Sequence, residues 1–181
     1  MKPMAASSAL MTVEQYSALP EPAGGFYELH HGVPVFMTRP KHLHAEIQNR
    51  LADLFRALAQ GRGVVWTEFA FRPLPEYEVW SADVGYLSHE RCAAVDRNDY
   101  LHGAPELVIE VLSPSNTVSE MNDREAICLE DGCLECWIVD PKSKTVKVST
   151  PDRRIVTYIA GETIPPTIPS PGELRVSEIF G

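Results

Sequence analysis

Leu107-Val108-Ile109-Glu110-Val111-Leu112 is an apolar run interrupted by one carboxylate. Its length and β-branched content are those of a strand covered on both faces of a sheet. An ionised carboxylate in such a place costs on the order of several kcal/mol unless it is paired or bound to a cation. A second acid, Asp83, lies in another strand-like stretch, Val79-Trp80-Ser81-Ala82-Asp83-Val84-Gly85-Tyr86-Leu87. Two acids on neighbouring strands make a candidate site for a divalent cation. Each also has a plainer reading. Glu110 fits a buried salt bridge with Arg124, and Asp83 fits a polar strand end bonded to a loop.

Outward from that run, residues 113–116 stop the strand, and Thr117-Val118-Ser119-Glu120 is a capping box. The helix it opens runs to about Asp131, with Gly132 as its cap. An apolar strand follows at 136–140, and the helix between makes the two strands parallel neighbours. Strands at 145–150 and 154–158 complete a meander. On the other side, 64–72 and 79–87 read as a strand pair about Pro73-Leu74-Pro75, and 89–102 as a polar connection. Leu43, Ile47, Leu51, Leu54, Phe55 and Leu58 mark one face of a long helix ended by Gly61 and Gly63. Residues 26–31 and 33–37 form a hairpin about His31-Gly32, preceded by a short helix with a capping box at Thr12. The tail holding Pro165, Pro166, Pro169 and Pro171 reads as a strap pinned by Leu174, Val176, Ile179 and Phe180. The order predicts an α/β fold: a mixed sheet with one helix on each side, an added N-terminal hairpin and a C-terminal meander.

Length and composition agree with a single domain. The chain has 181 residues, of which 44% are hydrophobic and 23% charged. That suits an ordinary globular protein with a radius of gyration of roughly 16 Å. Residues 1–11 read as a frayed leader and 12–181 as the domain. No apolar stretch reaches membrane-spanning length, and the leader lacks a secretory core, so a cytoplasmic protein is expected. The net charge of −9 counts against a broad basic face for nucleic acid. It leaves room for a contact bridged by metal. Cys133 and Cys136 have the spacing of half a zinc site, but no second half lies nearby. Cys128 and Cys136 also suit small buried hydrophobes.

Several anchors occur in one order: Tyr27-Glu28-Leu29 with His31-Gly32, then His44 with Ile47 and Leu51, and Ala82-Asp83-Val84. They continue as Gly103-Ala104-Pro105-Glu106, the Glu110 run with Ser113-Pro114-Ser115, and Trp137-Ile138-Val139-Asp140-Pro141. In this pattern the chain resembles the Uma-type restriction endonuclease family, bacterial proteins of largely unknown function, within the PD-(D/E)XK nuclease superfamily. The likeness spans about residues 13–180. It implies a restriction-endonuclease-like core in which Asp83, Glu110 and the backbone carbonyl of Val111 ligate Mg2+, with Mn2+ as a substitute. It also carries Glu28 as a further acid, which reads equally as a solvent-facing strand residue, and His44 as a possible neighbour of the site. The superfamily's lysine belongs two residues after Glu110, where this chain has Leu112. Uma-type relatives place it on the following helix, at the position of Arg124. Arginine stabilises a phosphate but does not give up a proton to activate water. Arg124 fits two further readings, the partner of Glu110 and a surface residue bridging Glu120 one turn earlier.

Two functions follow as expectations. The first is a Mg2+-dependent endodeoxyribonuclease that hydrolyses DNA phosphodiesters through Asp83, Glu110 and Arg124, working as a homodimer. The second is a catalytically weak or inactive nuclease-fold protein that serves as a binding module. A zinc or redox role for Cys133 and Cys136 ranks third.

Overall fold

The computed structural model describes residues 10–73 and 76–181. Most of the expected leader, and Leu74-Pro75 of the expected loop, lie outside the described residues. Met11, the leader's last residue, donates its amide to the Gly32 carbonyl at 2.9 Å.

The chain opens with helix α1 (Val13–Ser17), whose capping box joins Thr12 and Gln15. Strands β1 (Gly25–His30) and β2 (Val33–Thr38) form a separate hairpin, and helix α2 spans His42–Ala59. Next come β3 (Gly63–Arg72), β4 (Trp80–Ser88), α3 (His89–Ala94) and β5 (Leu101–His102). The run that opened the sequence reading is β6 (Leu107–Val111), followed by α4 (Val118–Glu130) and β7 (Glu135–Asp140). The meander is β8 (Thr145–Ser149) and β9 (Ile155–Tyr158). The tail is more structured than a strap: β10 (Thr163–Ile164) pairs with β11 (Leu174–Arg175), and α5 (Val176–Phe180) closes it.

Seven strands make the main sheet, in the order β5-β3-β4-β6-β7-β8-β9. The β6–β7 pair is parallel, as the intervening helix requires, and β3–β4, β4–β6, β7–β8 and β8–β9 are antiparallel. One face packs on α2 through Val84, Tyr86, Leu107, Ile109, Val111, Trp137 and Val139. The opposite face packs on α4 through Ala82, Val108, Cys136 and Cys128. All five residues of β6 are buried, so it is the covered strand its composition predicts.

The buried face of α2 differs from the leucine-rich one. Ile47, Gln48, Leu51, Ala52, Phe55 and Ala59 are buried, while Leu43 is 56% exposed. At about 100° per residue the true face is turned by roughly 60°. Alanines let the helix lie close to the sheet, and the turn brings His44 and Gln48 to bear on it. Gly63 starts β3 rather than ending α2. The helix ends in left-handed turns at Gln60 and Gly61.

Strands β4 and β6 pair only from Tyr86↔Leu107 to Val84↔Ile109. Beyond that point β4 turns toward the hairpin, where Val79 and Leu29 exchange backbone bonds of 2.8 and 2.9 Å. The separation coincides with a bend. Ala82 and Val84 sit in opposite cores although two residues apart, which ordinary alternation forbids. The facing residue of β3, Glu68, has φ +51°. The strands thus open into a fork beside Asp83 and Glu110.

Candidate functional site

Asp83 lines one side of the fork. Its Oδ2 accepts the Val111 amide at 2.7 Å, so a side chain stands where a strand carbonyl would. Gln48 of α2 donates to the Asp83 carbonyl at 2.9 Å. His44, one turn earlier, places Nε2 3.2 Å from Asp83 Oδ2 and 2.9 Å from the Val111 carbonyl. Burial works against the imidazolium. Asp83, the Val111 carbonyl and, at longer range, Glu68 outweigh it and hold His44 above its ordinary pKa. Two hard oxygens therefore converge on one nitrogen.

Glu110 is bonded from α4. Arg124 donates from Nε to Glu110 Oε1 at 2.8 Å, from Nη1 to Glu28 Oε2 at 3.0 Å and from Nη2 to the Ser81 carbonyl at 2.5 Å. Its guanidinium also lies 5.1 Å from the ring centre of Trp80. Glu28 Oε1 accepts the Ser81 amide at 2.8 Å, and its Oε2 accepts from His30 at 2.7 Å. Ser81 is a backbone unit that the fork leaves without β6 as a partner. Glu28 and Arg124 satisfy its amide and its carbonyl, as buried backbone groups require.

The electrostatics are unequal. Burial alone raises Glu28, but Arg124 and His30 overcome it and bring the carboxyl to about 2. For Glu110 burial dominates, Asp83 and Glu28 add to it, and Arg124 only partly offsets them, so the carboxyl is pushed up to about 8. Burial also opposes the charge on Arg124, yet Glu110 and Glu28 hold its proton more firmly than usual. One guanidinium thus serves two carboxylates and a backbone carbonyl.

Asp83 and Glu110 stand on adjacent strands at the same fork, each with partners of its own. The Val111 carbonyl shares His44 with Asp83. Arg124 is only 12% exposed and bonds Glu110, which corrects the surface reading. Glu120 instead closes the capping box of α4 with Thr117. Glu28 is buried rather than solvent-facing. His30, Gln48, Trp80 and Ser81 were missed by sequence reasoning. His30 stands two residues from Glu28 on the same strand face, and Gln48 one turn from His44, signals available in the spacing. Glu46 is a solvated helix residue paired with Arg50 at 2.8 Å. Among the described residues no three His, Cys, Asp or Glu side chains gather in a way that holds a metal unaided. The four cysteines are free thiols, three of them buried.

A family model described as "putative restriction endonuclease", Uma2, matches residues 13–177. The chain belongs to the Uma2 family. Among solved structures, that of "a putative nuclease belonging to DUF820" from Anabaena variabilis ATCC 29413 shares the fold. Its TM-score is 0.80 at 20% identity, over 94% of this chain and 97% of that one. No curated protein matches. The Uma2 chain thus carries a nuclease-like fold. Among its described residues no helix is long and apolar enough to cross a membrane.

Proposed function

We propose that this chain is a Mg2+-dependent endonuclease that hydrolyses phosphodiester bonds of DNA, with Asp83, Glu110 and the Val111 carbonyl as the metal-holding residues. One observation carries the reading. Asp83 Oδ2 and the Val111 carbonyl both lie on the His44 Nε2 nitrogen, at 3.2 and 2.9 Å, so two hard oxygens face one point suited to positive charge. The donor set is all oxygen, as magnesium prefers, with waters completing the shell. Asp83 and Glu28, which add to burial in raising Glu110, also favour a cation there, because a dication relieves their repulsion.

When bound, the cation supplies a more acidic water and neutralises charge building on the phosphate. The chain's own groups do the positioning. The Val111 amide fixes the Asp83 carboxylate, and Gln48 fixes its backbone. Arg124 holds Glu110 in place and cannot act as the proton acceptor. Three of its five N–H donors have partners. Cutting both DNA strands calls for two such sites, which a homodimer supplies.

The test is nicking of supercoiled plasmid by the purified chain. Cleavage is expected with Mg2+ or Mn2+, and loss of it in Asp83→Ala and Glu110→Ala. A wild type that leaves supercoiled, linear and single-stranded DNA intact with both metals sinks the reading. A second reading, an inactive binding module, is favoured by the commitment of Arg124 to Glu110 and Glu28. It predicts DNA retention without cleavage, and a Glu110→Gln variant altered in stability alone.

A further inference from the structure

A cavity of about 170 Å³ opens beside the fork, and its lining includes Leu112, Met121, Ile138, Asn116, Asn122 and Lys147. Leu112 carries the pairing of β6 with β7 one residue further, its amide donating to the Val139 carbonyl at 2.8 Å. It stands two residues beyond Glu110, or roughly 7 Å along the strand. Ile138 is the register partner of Glu110 on one side and of Lys147 on the other. Met121 and Ile138 are buried, and with Leu112 they make an apolar floor. The polar side chains around it have donors to spare. Asn122 is exposed and its amide makes no hydrogen bond among the described residues. Asn116 spends its carbonyl on Ser113 and keeps its amide hydrogens free. Lys147 uses one of its three N–H donors on Glu125, at 2.6 Å.

We infer that this cavity takes one unpaired pyrimidine base, thymine best of all, from the DNA strand held at the fork. The inference rests on DNA as the substrate proposed above. An apolar cavity of about 150 Å³ holds a benzene ring, so this one suits a single six-membered ring better than the fused rings of a purine. A thioether such as that of Met121 packs well on an aromatic ring. Thymine presents two carbonyl acceptors and a methyl group, whereas adenine presents an amino donor. Spare donors over an apolar floor match thymine. A base enters only when it is out of the stack, which costs least in single-stranded or mismatched DNA.

The experiment follows the methionine methyl signals of the full chain by NMR, in EDTA so that no strand is cut. Met121→Leu assigns the signal. Oligodeoxythymidylate is expected to move the Met121 methyl upfield through the ring current of the seated base. An abasic strand of the same length is expected to leave it in place. Asn122→Asp, at an exposed position, should weaken oligodeoxythymidylate binding about tenfold, one hydrogen bond's share, with an unchanged melting temperature. Equal shifts from the abasic strand or from oligodeoxyadenylate overturn the inference, and so does a Met121 signal that no strand moves. If plasmid is nicked while Met121 stays indifferent, the base site alone is lost and the nuclease reading stands. A shift without nicking keeps the base site and removes the nuclease.

Discussion

The carboxylate of Asp83 and the amide of Val111 are joined at 2.7 Å across the point where β4 and β6 part. A strand carbonyl would satisfy that amide equally well but carries no charge. Asp83 thus closes the fork and also puts an anion at its rim.

These two roles separate by mutation. Asp83→Asn keeps an acceptor for Val111 and is expected to melt near the wild type. Asp83→Ala strands the amide and should cost about 1–3 kcal/mol. In a thermal-shift series, Mg2+ at a hundredfold excess over its Kd should stabilise the wild type by about 2.7 kcal/mol and neither variant.

Among the described residues Arg124 is the only guanidinium or ammonium bonded to Glu28 and Glu110. Arg124→Met leaves both carboxylates buried without it. Urea unfolding should show a loss of about 3–5 kcal/mol. Arg124→Lys, lacking the planar fork of donors, should recover only part. Loss below 1 kcal/mol would mean that the guanidinium does not hold the fork.

Glu28 and Glu110 predict opposite responses to pH. The folded pKa of Glu28 lies below its ordinary 4.5, at about 2. Its contribution, about 3 kcal/mol, is present above pH 4.5 and fades as pH falls toward 2. The folded pKa of Glu110 is raised, so the native state binds the extra proton and stability declines as pH climbs from 4.5 toward 8. Urea titrations in EDTA should find the alkaline decline flattened in Glu110→Gln and the acid decline flattened in Glu28→Gln. An unchanged alkaline slope in Glu110→Gln contradicts the assignment.

Burial also raises the thiols of Cys92 and Cys128, and a hydrogen bond with Cys133 together with burial raises that of Cys136, which makes them poor nucleophiles and poor metal ligands. A disulfide reagent should react slowly with native protein, at the half-buried Cys92 first, and with all four thiols in denaturant. Stoichiometric zinc in purified protein would contradict this.

Much of the fold was legible because local signals suffice for it. The capping boxes at Thr12 and Thr117, the apolar run at Glu110 and the helix between parallel strands all act over short range. The site was legible in part. Asp83 and Glu110 stand out as acids in apolar strands. What the sequence hides is the fork, since register decides where β4 leaves β6 and no local pattern records it. Glu28 reads as an exposed strand residue until the hairpin is known to cover the freed end of β4. The α2 face misled for a related reason. Three leucines outweigh two alanines in hydrophobicity, yet small side chains decide how closely a helix meets a sheet.

Glu28 and Arg124 are 96 residues apart in sequence, and their ion pair seals the fork together with Ser81 and Glu110. During synthesis, the acids of the first hundred or so positions emerge from the ribosome before their guanidinium exists. The cleft therefore cannot close co-translationally until α4 has been made, and a chain cut short before that helix would hold its carboxylates in mutual repulsion.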